Sequence, residues 1–235
     1  VFAWRVATRP VAEVIQRAAA DTAPPAHYLM LKAWTCAWGQ SPRALRSLSV
    51  VFGLLCAAAG YLLCKEASLA NGARPADARF AGLLTGALLA LHAGQVEPSR
   101  TARMYSMGAF LAALSAWLLL KAFRARGNRR AWWAAYGLTA AAFCLTHHFA
   151  LLTLAAQFVY ACCVIGRGVF RKKEPPCAAA LNAATALQHA AGLVFAVTLA
   201  AVLYSPWMPV LLSQATRVQA DFWIPPLTLQ GVAGA

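Results

Sequence analysis

Six stretches of this 235-residue chain are apolar over nearly the length that a helix needs to cross a lipid bilayer. They lie at roughly residues 47–64, 80–96, 104–122, 131–147, 149–166 and 187–209. A spanning helix needs about 20 mainly apolar residues to match the hydrocarbon core. Apart from Lys121, the charged residues lie outside these stretches, and only 12% of all residues are charged whereas 61% are hydrophobic. The pattern predicts an all-α, polytopic transmembrane helical bundle with about six spans.

The net charge of +14 comes mainly from alternate loops between the predicted spans. The basic residues of these loops are Lys65, Arg74 and Arg79, then Lys121, Arg124, Arg126, Arg129 and Arg130, then Arg167, Arg171, Lys172 and Lys173. Alternate loops share one side of the membrane, and the positive-inside rule makes that side the cytoplasm. This distribution is typical of a topology signal and argues against a nucleic-acid-binding surface.

Three regions follow from this topology. Residues 1–46 are predicted to form an outer loop with interfacial helices, because Pro10–Ala20 has an amphipathic pattern and His27–Trp38 is apolar but too short to span. Residues 47–209 would hold the six spans, and 210–235 would begin the next outer loop. An outward N-terminus in a chain that starts at Val1 implies an earlier span, so we expect a fragment at both ends.

Most polar residues near the membrane boundary fall on the predicted outer side. The candidate site residues are Asp21, Glu97, Arg100, Arg103, Tyr105, His147, Gln214 and Arg217. Polar groups at a membrane boundary are costly unless they are paired or solvated, so their convergence on one side suggests a cavity there. Arginines there could bind a phosphate through two-pronged contacts, and a carboxylate could act as a general base. No metal site is predicted, because the adjacent side chains of His147 and His148 would diverge on a helix.

Each candidate also has a structural interpretation. Arg100 and Arg103 could extend toward the interface from a helix end, and Glu97 could pair with Arg100. His147 could cap a tight turn, and Asp21 could start the Pro24-Pro25 turn. Arg217 could form a helical ion pair with Asp221.

Four segments of the sequence resemble those of a known family. They are DTAPPAHYLMLKAW (21–34), GQSPRALRSLSVVFGLL (39–55), SRTARMYSM (99–107) and LTHHFALLTLAAQ (145–157), followed by SPWMPVLLSQATRV and FWIP. In this order they resemble the GT-C glycosyltransferases that use polyprenyl-phosphate sugars, the group of protein O-mannosyltransferases and aminoarabinose transferases. Ala23, Arg100, Thr101 and His148 depart from the family's His, Gln, Glu and Tyr.

The resemblance implies an enzyme that moves a sugar from a polyprenyl-phosphate-linked donor to an acceptor hydroxyl on a protein, lipid or glycan. The donor would reach the site from the membrane lipid. Arg100 and Arg103 would hold the phosphate, with Tyr105, His147, Gln214 and Arg217 as further substrate-binding residues. Asp21 and Glu97 are the candidate acids within the chain, while the resemblance places the principal catalytic acid upstream of Val1. We expect a bacterial plasma-membrane protein whose active side faces outward.

Two other classes of function stay open at this point. A transporter or flippase for a lipid-linked or small solute would need polar or broken helices near the bilayer midplane. The predicted span centres are apolar, with His92 and Gln157 as partial exceptions. A catalytically inactive membrane scaffold is the third possibility, because Ala23 and Thr101 replace residues that the family uses.

Overall fold

The computed structural model describes residues 2–125, 127–169 and 176–220, and the regular structure of these residues is entirely helical. The helices are α1 (Phe2–Ala7), α2 (Val11–Ala20), α3 (Ala26–Trp38), α4 (Pro42–Ala70), α5 (Pro75–Leu91), α6 (Ala93–Ser99), α7 (Tyr105–Arg124), α8 (Arg129–Cys144), α9 (Ala150–Val169), α10 (Pro176–Tyr204) and α11 (Met208–Ala220). A 3₁₀ turn at Ser205–Trp207 joins the last two. The predicted all-α class is therefore confirmed.

Four helical stretches are long and apolar enough to cross a membrane, which indicates an integral membrane protein. They are Pro42–Ala70, Tyr105–Arg124, Ala150–Arg167 and Ala183–Arg217. The predicted spans at 80–96 and 131–147 fall on α5 and α8, which have 17 and 16 residues. Both are shorter than the roughly 20 residues of a typical spanning helix, so the prediction of six spans is not confirmed.

Local sequence sets the starts of α4 and α8. The Ser41 hydroxyl accepts the Ala44 amide at 3.1 Å, and Pro42 occupies the first turn of α4, where its missing N–H costs nothing. The Asn128 side chain accepts the Ala131 amide at 3.2 Å and caps α8 in the same way. Gly39, with a φ of 80°, supplies the left-handed residue that ends α3 and turns the chain into α4.

Helices α4 and α7 run parallel. The rings of Phe52 and Phe110 lie 5.7 Å apart near their starts, and Glu66 contacts Lys121 and Arg124 near their ends. Helix α5 returns the chain antiparallel along α4, where Gly82 lies against the Tyr61 backbone. The absent side chain at Gly82 lets the two helices approach closely, as small residues do in membrane bundles.

Helices α8 and α10 also run parallel. The Arg129 guanidinium reaches Gln188, and the Trp133 ring fills the space beside Gly192 one turn further along. After another turn, Gly137 lies so close to the Ala196 carbonyl that an added Cβ would stand 2.7 Å from it. The end of the bundle at which α4 and α7 begin is called the cavity end below, and the end at which they finish is called the Glu66 end.

The N-terminal helices α1–α3 pack against the cavity end. Val14, Ala18 and Tyr28 are buried in one core with Met107 of α7 and Trp207 of the 3₁₀ turn. The amphipathic pattern of α2 places Val11, Val14, Ile15 and Ala18 on one face, but only Val14 and Ala18 are buried, while Val11 and Ile15 remain exposed. Three short helices thereby cover the beginning of the long ones and form the walls of a cavity.

Candidate functional site

A cavity of about 670 Å³ lies at the cavity end, between the N-terminal helices, the start of α4 and the link between α6 and α7. It is lined by Ala3, Trp4, His27, Tyr28, Gln40, Pro42, Leu45, Arg46 and residues 100–104. Both predicted phosphate ligands, Arg100 and Arg103, therefore line one cavity. They come from the short segment that leads into α7, which holds them near the start of α4.

Three guanidinium groups line this cavity. Arg46, Arg100 and Arg103 are all exposed, and none of them lies within ion-pair distance of a carboxylate in the described part of the chain. A guanidinium presents planar pairs of N–H donors that match the oxygens of a phosphate or a carboxylate. The cavity thus offers three cations that have no acidic partner among the described residues, an arrangement that favours an anionic ligand.

Helix ends add to this positive field. Helices α3, α4 and α7 all begin at the cavity, where His27 is in the first turn of α3, Pro42 opens α4 and Met104 caps α7. The N-terminus of a helix carries unpaired N–H groups equivalent to about half a positive charge. Three such ends beside three arginines make the cavity a favourable place for an anion.

His27 is a buried polar residue in the cavity wall. Its side chain is only 3% exposed, and neither ring nitrogen has a hydrogen-bond partner among the residues that the structure describes. Burial lowers the pKa of His27 to about 4, although the Ala102 backbone opposes the shift. The imidazole is therefore neutral at pH 7, with one N–H donor and one acceptor nitrogen in the cavity wall beside the arginines.

Asp21 reaches the cavity through Tyr28. The Tyr28 hydroxyl donates a hydrogen bond to Asp21 Oδ2 at 2.9 Å, and Tyr28 itself lines the cavity. Burial raises the pKa of Tyr28, as does the Asp21 carboxylate, while Arg103 acts in the opposite direction. Asp21 therefore stands one side chain behind the cavity wall, and no carboxylate in the described ranges forms part of the lining.

Glu97 lies apart from this arrangement. It is exposed on the short helix α6 and is not part of the lining, although its backbone carbonyl accepts the Arg100 amide at 3.0 Å. Thr101, which stands where the resembling family has Glu, does line the cavity. Its hydroxyl donates to the Pro98 carbonyl at 2.9 Å, so it closes the turn.

Tyr105 and His147 lie together next to the cavity lining. Their ring centroids are 5.8 Å apart, and Tyr105 follows the lining residue Met104. His147 Nδ1 accepts the Phe149 amide at 3.2 Å, which gives this histidine a role in the turn between α8 and α9. Burial lowers the pKa of His147, and the neighbouring His148 adds to the shift.

Gln214 and Arg217 make structural contacts in the described part of the chain. Gln214 Nε2 donates to the carbonyls of Ala18 and Asp21 at 3.0 and 2.6 Å, and Arg217 donates to that of Ala19 at 2.7 Å. These carbonyls end α2 and lack partners within the helix. Neither side chain is part of the cavity lining. Asp221, the alternative partner of Arg217, lies outside the described residues.

Arg46 and His27 were not among the predicted site residues. Arg46 belongs to GQSPRALRSLS, the start of one of the segments that carry the family resemblance, and it lies about one turn into α4. Its position in that segment was the available signal. The fold was needed to show that this part of α4 faces Arg100 and Arg103 across a cavity.

Comparison with protein-family models, with curated proteins and with solved structures finds no match for this chain. The chemistry of the site therefore has to be argued from its own residues and their geometry.

Proposed function

We propose that this chain is part of a membrane glycosyltransferase of the GT-C type, which transfers a sugar from a polyprenyl-phosphate donor to an acceptor hydroxyl. The observation that carries the proposal is the cavity in which Arg46, Arg100 and Arg103 meet without a carboxylate partner among the described residues. It lies where spanning helices begin, and this location suits a donor whose tail stays in the lipid while its phosphate stays at the boundary.

The reaction requires charge stabilisation at the donor phosphate. The acceptor oxygen forms a bond to the anomeric carbon, the bond from that carbon to the phosphate oxygen breaks, and polyprenyl phosphate leaves with the bonding electrons. The three arginines would stabilise the growing negative charge on that leaving group. A carboxylate has to receive the acceptor proton, and among the described residues Asp21, which accepts a hydrogen bond from the Tyr28 hydroxyl at the cavity wall, is the candidate.

We further propose that α5 and α8 cross the membrane, which gives six spans. Because α4 and α7 run parallel, α5 has to return the chain through nearly the same thickness before α7 begins. Helix α8 does the same between α7 and α9. With 17 and 16 residues they are about 24–26 Å long, only a few Å less than a bilayer core of about 30 Å. In this topology the cavity end faces outward.

The proposal is tested most sharply at Arg103. In the protein reconstituted in lipid nanodiscs, Arg103→Lys keeps the charge but loses the two-pronged geometry. Losing one charge-assisted hydrogen bond costs about 1.5–3 kcal/mol, so we expect about a 10- to 150-fold loss in binding of radiolabelled polyprenyl-phosphate mannose and in sugar transfer. A side chain that only extends to the interface would be replaced by Lys with little effect.

Arg43→Ala is the matched control. Arg43 is an exposed arginine one turn before Arg46 on α4, and it does not line the cavity. We expect donor binding to survive this change. Unchanged binding and transfer in both Arg103→Lys and Arg103→Ala would contradict the assignment of the phosphate site.

One observation favours the alternative function, a transporter or flippase. In the described region Gln157 of α9 donates to Ser115 of α7 at 3.0 Å, which is a polar contact between two spanning helices. Both groups are neutral, so a proton- or ion-coupled carrier gains no charged site there. Solute uptake by vesicles that contain the protein, with no sugar transfer, would favour the transporter. The absence of both solute uptake and sugar transfer would favour an inactive scaffold.

A further inference from the structure

A second cavity, of about 620 Å³, lies at the Glu66 end between α8 and α10. Its mouth is formed by Arg129 and Arg130 at the start of α8 and by Gln188 on α10, and Phe195 forms its wall two turns further along α10. It shares no residue with the arginine cavity described above, and the sequence segments that carry the family resemblance do not contain it.

The mouth of this cavity holds an oriented guanidinium group. Arg129 Nη1 donates to Gln188 Oε1 at 2.7 Å, and its Nε donates to the Ala125 carbonyl at 2.9 Å. These two bonds fix the plane of the group and leave its other N–H donors available. Arg130 is exposed beside it, and neither arginine is within ion-pair distance of a carboxylate among the residues described.

A buried donor in the wall lacks an acceptor. Trp133 is 2% exposed, and its indole N–H has no hydrogen-bond acceptor in the described part of the chain. An unsatisfied buried donor costs about 1–3 kcal/mol, so it gains from an acceptor that a ligand brings. Gly192 leaves the space that the Trp133 ring occupies.

Polarity changes along the depth of the cavity. The cations lie at the helix ends, whereas Ala191, Gly192 and Phe195 continue the lining along a spanning helix, and Phe195 is 48% exposed. Seven residues of helix separate Gln188 from Phe195, or about 10 Å. The chemical class that matches a cationic mouth followed by an apolar wall is an amphipathic anion.

We infer that this cavity binds the phosphodiester head group of an anionic phospholipid, with one acyl chain along Phe195. The phosphate oxygens would accept from Arg129 and Arg130. Basic pockets between membrane helices recognise anionic head groups in this way, mainly in the cytoplasmic leaflet, which is the negatively charged one. The positive-inside rule places the Glu66 end at that leaflet. The inference does not depend on the proposed sugar transfer.

The test is native mass spectrometry of the detergent-purified protein titrated with phosphatidylglycerol, with phosphatidylcholine as the zwitterionic reference. The double variant Arg129→Gln/Arg130→Gln should lower the affinity for phosphatidylglycerol at least tenfold. It loses one or two charge-assisted hydrogen bonds, and each of these contributes about 10-fold or more to the affinity. The control is Arg74→Gln/Arg79→Gln, which removes the same charge from exposed positions at the same end. The affinity of this control for phosphatidylglycerol should stay within about twofold of the parent, because neither Arg74 nor Arg79 lines the cavity.

Ala191→Phe separates a built cavity from general charge attraction. This substitution fills the exposed lining position and keeps every cation, so it should reduce phosphatidylglycerol binding as strongly as the double variant. An equal loss of phosphatidylglycerol affinity in the Arg74/Arg79 control, or full phosphatidylglycerol binding by Ala191→Phe, would contradict the proposed site. Competition by millimolar inorganic phosphate as effective as that by the lipid would also overturn it, because the ligand would then be a free anion.

Discussion

The two ends of the helical bundle hold their cations differently. At the Glu66 end, Lys121 Nζ and Arg124 Nε lie 3.4 and 2.7 Å from the carboxylate of Glu66, whose side chain is only 11% exposed. At the cavity end, the arginines that line the cavity have no carboxylate partner within the described ranges. The same residue types therefore stabilise the packing of α4 against α7 at the Glu66 end and stay available to a ligand in the arginine cavity at the cavity end.

The position of the acidic residues causes this difference. One carboxylate on α4 pairs with two cations on α7, and these shared ion pairs hold two parallel helices together at their ends. The cavity end has an acid nearby, but the Asp21 carboxylate accepts from Tyr28 and lies behind the cavity wall. An unpaired cation there destabilises the fold little while water solvates it. A phosphate that replaces this water forms charge-assisted hydrogen bonds with the cation, which stabilises the complex.

We expect the largest effect in an experiment that tests whether the two ends of the bundle face opposite sides of the membrane. With the native cysteines replaced by alanine, a membrane-impermeant maleimide applied to intact cells should label Thr101→Cys fully and Asn128→Cys not at all. Thr101 lines the cavity, while Asn128 caps α8 at the other end. Labelling of Asn128→Cys without permeabilisation would reverse or abolish the proposed orientation.

A large loss of stability is expected on removal of the shared carboxylate. Glu66→Gln leaves Lys121 and Arg124 without their partner, and breaking a buried pair of this kind costs about 3–5 kcal/mol, or about 2–3 kcal/mol when the cations are a third exposed as here. Thermal unfolding in detergent measures the change. Asp77→Asn, which breaks the exposed pair with Arg74, is the control and should cost less than about 1 kcal/mol. Equal effects of the two changes would contradict the distinction.

A smaller effect should appear when the pH is lowered at the cavity end. Because burial holds the pKa of His27 at about 4 in the folded protein, against 6.5 when exposed, the unfolded chain binds the proton first. The contribution of neutral His27 is fully present above pH 6.5 and is lost as the pH falls toward 4. Between pH 7 and 5 this loss is about 2 kcal/mol.

The control for this pH dependence is His27→Gln, which cannot titrate. Thermal unfolding of both proteins at pH 7 and pH 5 isolates the histidine, since all other groups are shared. An equal decrease in stability in the two proteins would show that His27 is not the group responsible.

Much of the fold could be predicted from the sequence, because apolar length and charge clustering act over whole helices. The predicted stretches at 47–64 and 131–147 overlap α4 and α8, and the amphipathic stretch at Pro10–Ala20 forms α2. The prediction of six spans is confirmed for four helical stretches only, since an apolar run predicts how long a hydrophobic segment is but not where its helix ends. Helix α5 stops at Leu91 because His92 turns the chain and caps α6.

The candidate site was less predictable, because it depends on which residues of distant segments meet. Proximity in sequence placed Glu97 with Arg100, yet α6 carries it away from the cavity lining. Gln214 and Arg217 have the polarity of ligands but hold the last carbonyls of α2, nearly 200 residues away in sequence. Arg46 has no periodic signal of its own, and only the packing of α4 beside the α6–α7 link shows where it faces.

The most direct test of the central claim is equilibrium binding of polyprenyl monophosphate, without sugar, to the protein in zwitterionic nanodiscs. We predict that Arg46→Gln, at a position found only from the fold, weakens binding by at least about tenfold, the value of one charge-assisted hydrogen bond. Arg43→Gln, one turn earlier on the same helix, should bind as the parent does. Equal affinity in all three proteins would contradict a phosphate site built from the unpaired arginines of the cavity end.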